Sequence, residues 1–199
     1  MALTQSSMMD LGAKAPPFSL PDTEGAHQSL EQCAGTKGLL VVFMCNHCPY
    51  VIHIAPALAA LAREYAELGI ACVGINSNDV HSYPQDSPPR MREEKQRRGY
   101  DFPYLFDESQ AVAHAYGAAC TPDLYLFDGA QTLVYRGQFD DTRPHRIASG
   151  NYDSARTPAT GASLRAAMDA LLRGDPPLDP QQPSMGCNIK WRPGNEPHS

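Results

Sequence analysis

In the stretch VVFMCNHCPYV (Val41–Val51), Cys45 and Cys48 stand three positions apart. Such a pair can staple a chain, fill two corners of a metal site, or carry electrons by opening and closing a disulfide. The thiolate is the reactive form in the last two cases, so what matters is which flanking groups lower a thiol pKa. His47, when protonated, would stabilise an adjacent thiolate, and with Asn46 it forms the candidate tuning pair between the cysteines. Pro49 disfavours helical backbone at Cys48 and suits the first position of a helix, which makes Cys48 a candidate helix cap. Local chemistry leaves open whether Cys45 or Cys48 is the attacking thiol.

The elements around the pair favour electron transfer. The continuous apolar run Gly38–Met44 has the character of a strand buried on both faces. After the cysteines, Val51, Ile54, Leu58, Leu61, Tyr65 and Leu68 recur at helical spacing, ending near Gly69, with Pro56 expected to kink the helix. Residues Ile70–Asn78 form a second buried strand, which completes a βαβ unit with parallel strands. The cysteines thus sit where a strand feeds a helix N-terminus, whose dipole and N–H groups favour a thiolate. A second cysteine one turn away can then attack a mixed disulfide and release the reduced substrate.

Downstream, FSL is read as a short strand before the βαβ unit, and RMREEKQRR (Arg90–Arg98) as a solvated helix face after it. FPYLFD follows as a short strand and SQAVAHAYG as a small helix. DLYLFD and TLVYRGQFD form a hairpin across a Gly-Ala turn, and Leu164, Met168, Leu171 and Leu172 mark a last helix. The expected organisation is one domain over residues 1–174 and a Pro-rich extended tail over 175–199.

Composition narrows the function class. The chain has 199 residues, 42% of them hydrophobic and 19% charged, enough to build a core without disulfide staples. A net charge of -6 argues against a nucleic-acid partner. No apolar run approaches a membrane span, and the N-terminus lacks the pattern of a signal peptide. Six scattered cysteines do not resemble a secreted disulfide framework, so a reducing, cytoplasmic setting is expected.

Several segments together resemble the thioredoxin-like superfamily, and specifically its peroxiredoxin-like (AhpC/TSA, redoxin) branch. They are LGAKAPPFSLPDTEG…GTKGLLVVF, CNHCPYV, GAACTPDLYLFDGAQTLVYRG and PSMGCNIKWRPGNEP. The resemblance implies an α/β, thioredoxin-like fold: a central mixed sheet flanked by helices, with an N-terminal peroxiredoxin-type extension and an extended C-terminal tail. It also implies that Thr121–Pro122 is a cis peptide facing the cysteines, whose backbone binds substrate as an added strand. The branch offers two roles for the pair. In one, Cys45 attacks and Cys48 resolves; in the other, Cys48 is a peroxidatic cysteine. Against the second, Cys45 and Val41 occupy the places where peroxiredoxins carry a hydroxyl residue and a proline, and only Arg136 and Arg143 offer themselves as peroxide-binding arginines. Against an ordinary thioredoxin, the strand Gly38–Met44 lacks a buried acid, Met44 replaces an aromatic residue, and Pro56 lies further along the helix.

The resulting expectation is an enzyme, a thiol–disulfide oxidoreductase that cycles Cys45 and Cys48 without a cofactor. Its partners would be protein or small-molecule thiols and disulfides, with a reductant such as a thioredoxin system; the sequence gives no oligomeric state. His47 would set its potential between roughly -270 mV and roughly -120 mV. The alternatives are an antioxidant peroxidase at Cys48, and a redox sensor or copper- or zinc-handling module using Cys45, His47, Cys48 and His53, with a further ligand from the HSYP segment or Cys187. The leading reading assigns no metal. Cys120 and Cys187 are auxiliary thiols, Cys187 as a candidate resolving cysteine. Cys33, Cys72 and His114 are expected to be structural.

Overall fold

Between Leu39 and Met44, alternate side chains feed two separate apolar clusters. Leu40, Val42 and Met44 enter one, while Leu39, Val41 and Phe43 enter the other. A segment buried on both faces has no polar side to show water, so it occupies the middle of a sheet.

The computed structural model describes residues 3–197. In chain order it contains β1 (Leu3–Gln5), β2 (Ser19–Pro21), β3 (His27–Ser29), α1 (Leu30–Cys33), β4 (Gly38–Phe43) and α2 (Pro49–Glu67). There follow β5 (Ile70–Asn76), α3 (Pro88–Arg98), β6 (Tyr104–Phe106), α4 (Ala111–Tyr116), β7 (Cys120–Thr121), β8 (Asp123–Asp128) and β9 (Leu133–Arg136). The chain closes with β10 (His145–Ala148), β11 (Asn151–Asp153), α5 (Ala162–Arg173) and β12 (Met185–Asn188).

The main sheet runs β6-β5-β4-β8-β9. β4 is parallel to β5 and antiparallel to β8, so the sheet is mixed, with β4 at its centre. On one face α2 packs through Val51, Ile54, Leu58, Leu61 and Tyr65, joined by Leu164 and Met168 of α5. Each fully buried side chain of this kind contributes roughly 1.5–3 kcal/mol. The other face is covered by Leu30 and Cys33 of α1, Val112 and Tyr116 of α4, and Phe18. The β8–β9 turn is held by Asp128, whose carboxylate accepts the N–H groups of Ala130 and Thr132.

Helix α2 is unbroken through Pro56, which faces solvent. The second strand ends at Asn76 rather than Asn78, because Asn76 and Asn78 turn their side chains into a buried network. From Asp175 the chain runs back along the domain, and β12 lies between β1 and β7 in a second sheet, ordered β1-β12-β7. Among the described residues, no helix is long and apolar enough to cross a membrane.

Candidate redox site at the head of helix α2

The strand β4 delivers the chain to Cys45, and α2 begins immediately after Cys48. Cys48 is the N-cap, in extended conformation, with Pro49 as the first helical residue. That settles the geometric question raised by Pro49: the end of α2 is presented to Cys48, not to Cys45. The Val51 N–H, one turn into the helix, faces the Cys48 sulfur without closing a tight cap.

Both sulfurs are almost wholly withdrawn from water, Cys45 at 2% and Cys48 at 0% exposure. Desolvation on its own would push both thiols up. At Cys48 it is outweighed by donors: the Cys187 and Cys45 thiols and the Val51 and Cys187 backbone N–H groups all converge on its sulfur. Cys48 is therefore held well below the ordinary thiol range. When protonated, it donates to the Thr121 carbonyl at 3.1 Å. Cys45 is pushed the other way, by burial, by the hydrogen bond it donates to Cys48, and by the negative Asp86. The Thr121 hydroxyl, 3.6 Å from its sulfur, opposes that shift. The donor arrangement thus favours the thiolate at Cys48 and the protonated thiol at Cys45.

The Thr121–Pro122 peptide is cis, and it lies against both sulfurs through Thr121. Immediately beyond it Asp123 is fully buried, and desolvation pushes its carboxyl up to about 6 despite hydrogen bonds from the Ala119 N–H and the Tyr125 hydroxyl. Cys120 lies close by, but its thiol turns to the Pro122 carbonyl at 3.4 Å, and burial first, then Asp123, raises its pKa.

His47 lies between Asp86 and Cys45, with a ring nitrogen within 4.8 Å of the Cys45 sulfur and no hydrogen bond to either thiol. Its ring stacks on Tyr83, with centroids 5.4 Å apart, and its Nδ1 lies 2.7 Å from Asp86 Oδ2, off the axis of a straight hydrogen bond. Asn46 is fixed by Tyr104, which donates to its Oδ1, and by its own amide, which donates to the Gln85 carbonyl. Both residues between the cysteines are therefore anchored to the Pro-rich loop after β5. Its centre is Asp86, at 0% exposure, which accepts the Asn46 N–H at 2.9 Å and the Asn78 amide at 2.8 Å.

Asp86 is the residue that sequence reading missed. It comes from a polar, proline-punctuated loop, and nothing in its spacing from Cys45 marks it. It supplies the buried acid beside the dithiol that β4 lacks. Of the metal donors considered from sequence, two histidines lie elsewhere: His53 turns to the Thr142 hydroxyl at 2.8 Å and His81 is exposed. The donors that converge instead are Cys45, His47 and Asp86, within 4.8 Å of one another, with Asp86 already committed to Asn46 and Asn78. Arg136 is spent on the Met9 carbonyl and Gln181, and Arg143 on the Asp140 and Thr142 carbonyls and Gln138. Both guanidiniums are thus committed elsewhere. His114 bonds the Asn195 carbonyl, and its ring lies tilted against Trp191.

Comparison with known proteins gives a consistent picture. The profile of the AhpC/TSA family matches residues 11–136. The thiol-disulfide oxidoreductase ResA of Halalkalibacterium halodurans is 30% identical over 64% of this chain and 68% of its own. A crystal structure of a conserved protein from Geobacillus kaustophilus superposes with TM-score 0.89 at 47% identity, covering 98% of each chain. Peroxidoxin BcpB of Mycobacterium tuberculosis shares the fold alone, with TM-score 0.59 at 20% identity over 84% of this chain and 98% of its own. The fold is thioredoxin-like, and the function is thioredoxin-like redox chemistry.

Proposed function

The chain belongs to the AhpC/TSA family, and from that premise we propose that it is a thiol–disulfide oxidoreductase in which Cys48 attacks and Cys45 resolves. One observation carries the reading: Cys48 is the N-cap residue of α2, and four donors converge on its sulfur, one of them the Cys45 thiol. The Cys48 thiolate attacks a substrate disulfide, forming a mixed disulfide and expelling one thiolate. Cys45 then passes its proton to the second departing sulfur and attacks Cys48, closing the Cys45–Cys48 bond. The substrate gains two electrons and the protein loses two. Thr121 sets its hydroxyl at Cys45 and its carbonyl at Cys48, and its backbone already pairs with Cys187 of β12, so an extended substrate would have to take the place of that strand. The proposed setting is a reducing compartment such as the cytoplasm, where a thioredoxin-type dithiol returns the electrons.

His47 acts on the pair together with Asp86, its nearest partner, with Cys45 within 4.8 Å. The raised Cys45 and the lowered Cys48 pull the potential in opposite senses, and a glutathione titration would measure the balance.

The test is insulin-disulfide reduction in dithiothreitol. Wild type is expected to turn over, and Cys48→Ser to fall to background. Absence of turnover in wild type overturns the reading. The second reading, a peroxidase at Cys48, is favoured by the same lowered thiol. Peroxide consumption that needs Cys48 but survives Cys45→Ser, in a protein inert to insulin, would establish it instead.

A further inference from the structure

Cys187 approaches Cys48 as closely in chemical terms as Cys45 does. Its thiol hydrogen-bonds the Cys48 sulfur, and its backbone N–H points at the same atom. It reaches this place through β12, which pairs Cys187 with Thr121, the residue whose carbonyl lies 3.1 Å from the Cys48 sulfur. The approach depends on the residue before it. A Cβ at Gly186 would stand 2.0 Å from the Thr121 carbonyl oxygen, a contact with backbone that cannot move aside cheaply. Glycine therefore lets β12 close on the cis-peptide segment, and that closure brings the third thiol to the helix cap.

Cys187 also has its own way out. It lines a cleft of about 180 Å³ with Leu3, Tyr50, Arg146, Tyr152 and Gly186, and Cys45 has no place in that cleft.

Resting on the oxidoreductase reading above, we propose that Cys187 is a second resolving thiol, and that Cys48 alternates between disulfides to Cys45 and to Cys187. Starting from the Cys45–Cys48 disulfide, the Cys187 sulfur attacks Cys48 Sγ. The Cys48–Cys187 bond forms, the Cys45–Cys48 bond breaks, and the proton of Cys187 passes to Cys45. No electrons enter or leave in this exchange. An external dithiol can then reduce the Cys48–Cys187 bond from the cleft, by attacking Cys187 and releasing Cys48, and its own two thiols become the disulfide. Substrate at Cys48 and reductant at the cleft would thus meet different sulfurs.

The test is non-reducing tryptic mapping after oxidation by oxidised glutathione and acid quenching. Cleavage places Cys45 and Cys48 together in residues 38–63 and Cys187 alone in residues 174–190. Cys45→Ser is expected to yield a cross-link between those two peptides as its main product, and Cys45→Ser/Cys187→Ser to yield only Cys48–glutathione. Cys45→Ser should keep measurable insulin turnover, lost when Cys187→Ser is added. Gly186→Ala should remove the cross-link while leaving the Cys45–Cys48 bond. Should Cys45→Ser fail to fold by circular dichroism, wild type under partial oxidation must show both disulfides. Cys48–glutathione as the main product of folded Cys45→Ser, or wild type with the Cys45–Cys48 bond alone, overturns the proposal. Neither outcome touches the oxidoreductase reading, which falls if wild type fails to turn over insulin.

Discussion

Two groups of buried cysteines lie in this small domain, and they behave in opposite ways. At one end of the sheet Cys48 is as buried as any residue, yet its thiol is held low. Towards the other, Cys33 and Cys72 line a shared cleft at 5% and 6% exposure, and burial pushes Cys33 up to about 11 and Cys72 higher still. Burial cannot be what makes a thiol reactive, since it is common to both. What separates them is donors: a helix terminus, two backbone N–H groups and two thiols at Cys48, against apolar neighbours at Cys33 and Cys72.

The largest effect expected from this contrast is on turnover. Cys48→Ser should lower insulin-disulfide reduction on the order of 10³-fold, equivalent to about 4 kcal/mol of barrier. Cys33→Ala and Cys72→Ala should stay within about twofold of wild type, because neither sulfur meets the donor set of Cys48. A collapse of turnover in either would erase the distinction.

Next in size is the buried network that shapes the turn between the cysteines. Asp86→Ala leaves the Asn46 N–H and the Asn78 amide without their acceptor, and should cost roughly 3–5 kcal/mol in urea unfolding. If the variant remains folded, the Cys45 thiol should titrate lower than in wild type, since the negative charge beside it is gone.

Asp123 sharpens the contrast from the side of the cis peptide, because it shows burial acting without sufficient donors. Its carboxyl, pushed up to about 6, keeps its proton in the native state over a range where the unfolded chain has released it. The native state therefore binds more protons, and stability falls as pH rises through that window. Asp123→Asn removes the dependence. From about pH 4 to about pH 7 the stability difference should grow by about 2 kcal/mol in the variant's favour, measured by urea unfolding at each pH. The smallest expected effect is on packing: Cys72→Ala should cost about 1 kcal/mol, a small apolar group lost from a strand.

The part of this arrangement written in local pattern was legible from the sequence. Gly38–Met44 has no polar face, so it reads as a central strand, and the spacing from Val51 to Tyr65 reads as the helix on its flank. The cysteine pair falls at their junction, and the resemblance to the thioredoxin-like superfamily implied the Thr121–Pro122 peptide. Less legible were the groups that arrive from far along the chain. Asp86 joins the site from a loop whose composition signals only a turn, and His47 could not be assigned to it without knowing where that loop lies. Cys187 was visible as a thiol in a Pro-rich segment, but its approach to Cys48 rests on Gly186 fitting against Thr121, a contact between backbones that side-chain periodicity does not encode.

The central claim is that Cys48 is the thiolate of this site, and thiolate absorbance in the ultraviolet across pH tests it most directly in wild type, Cys45→Ser and Cys48→Ser. The account predicts a thiol that ionises well below the ordinary range in wild type and in Cys45→Ser, and disappears in Cys48→Ser. A low-pH thiolate that persists in Cys48→Ser would contradict it.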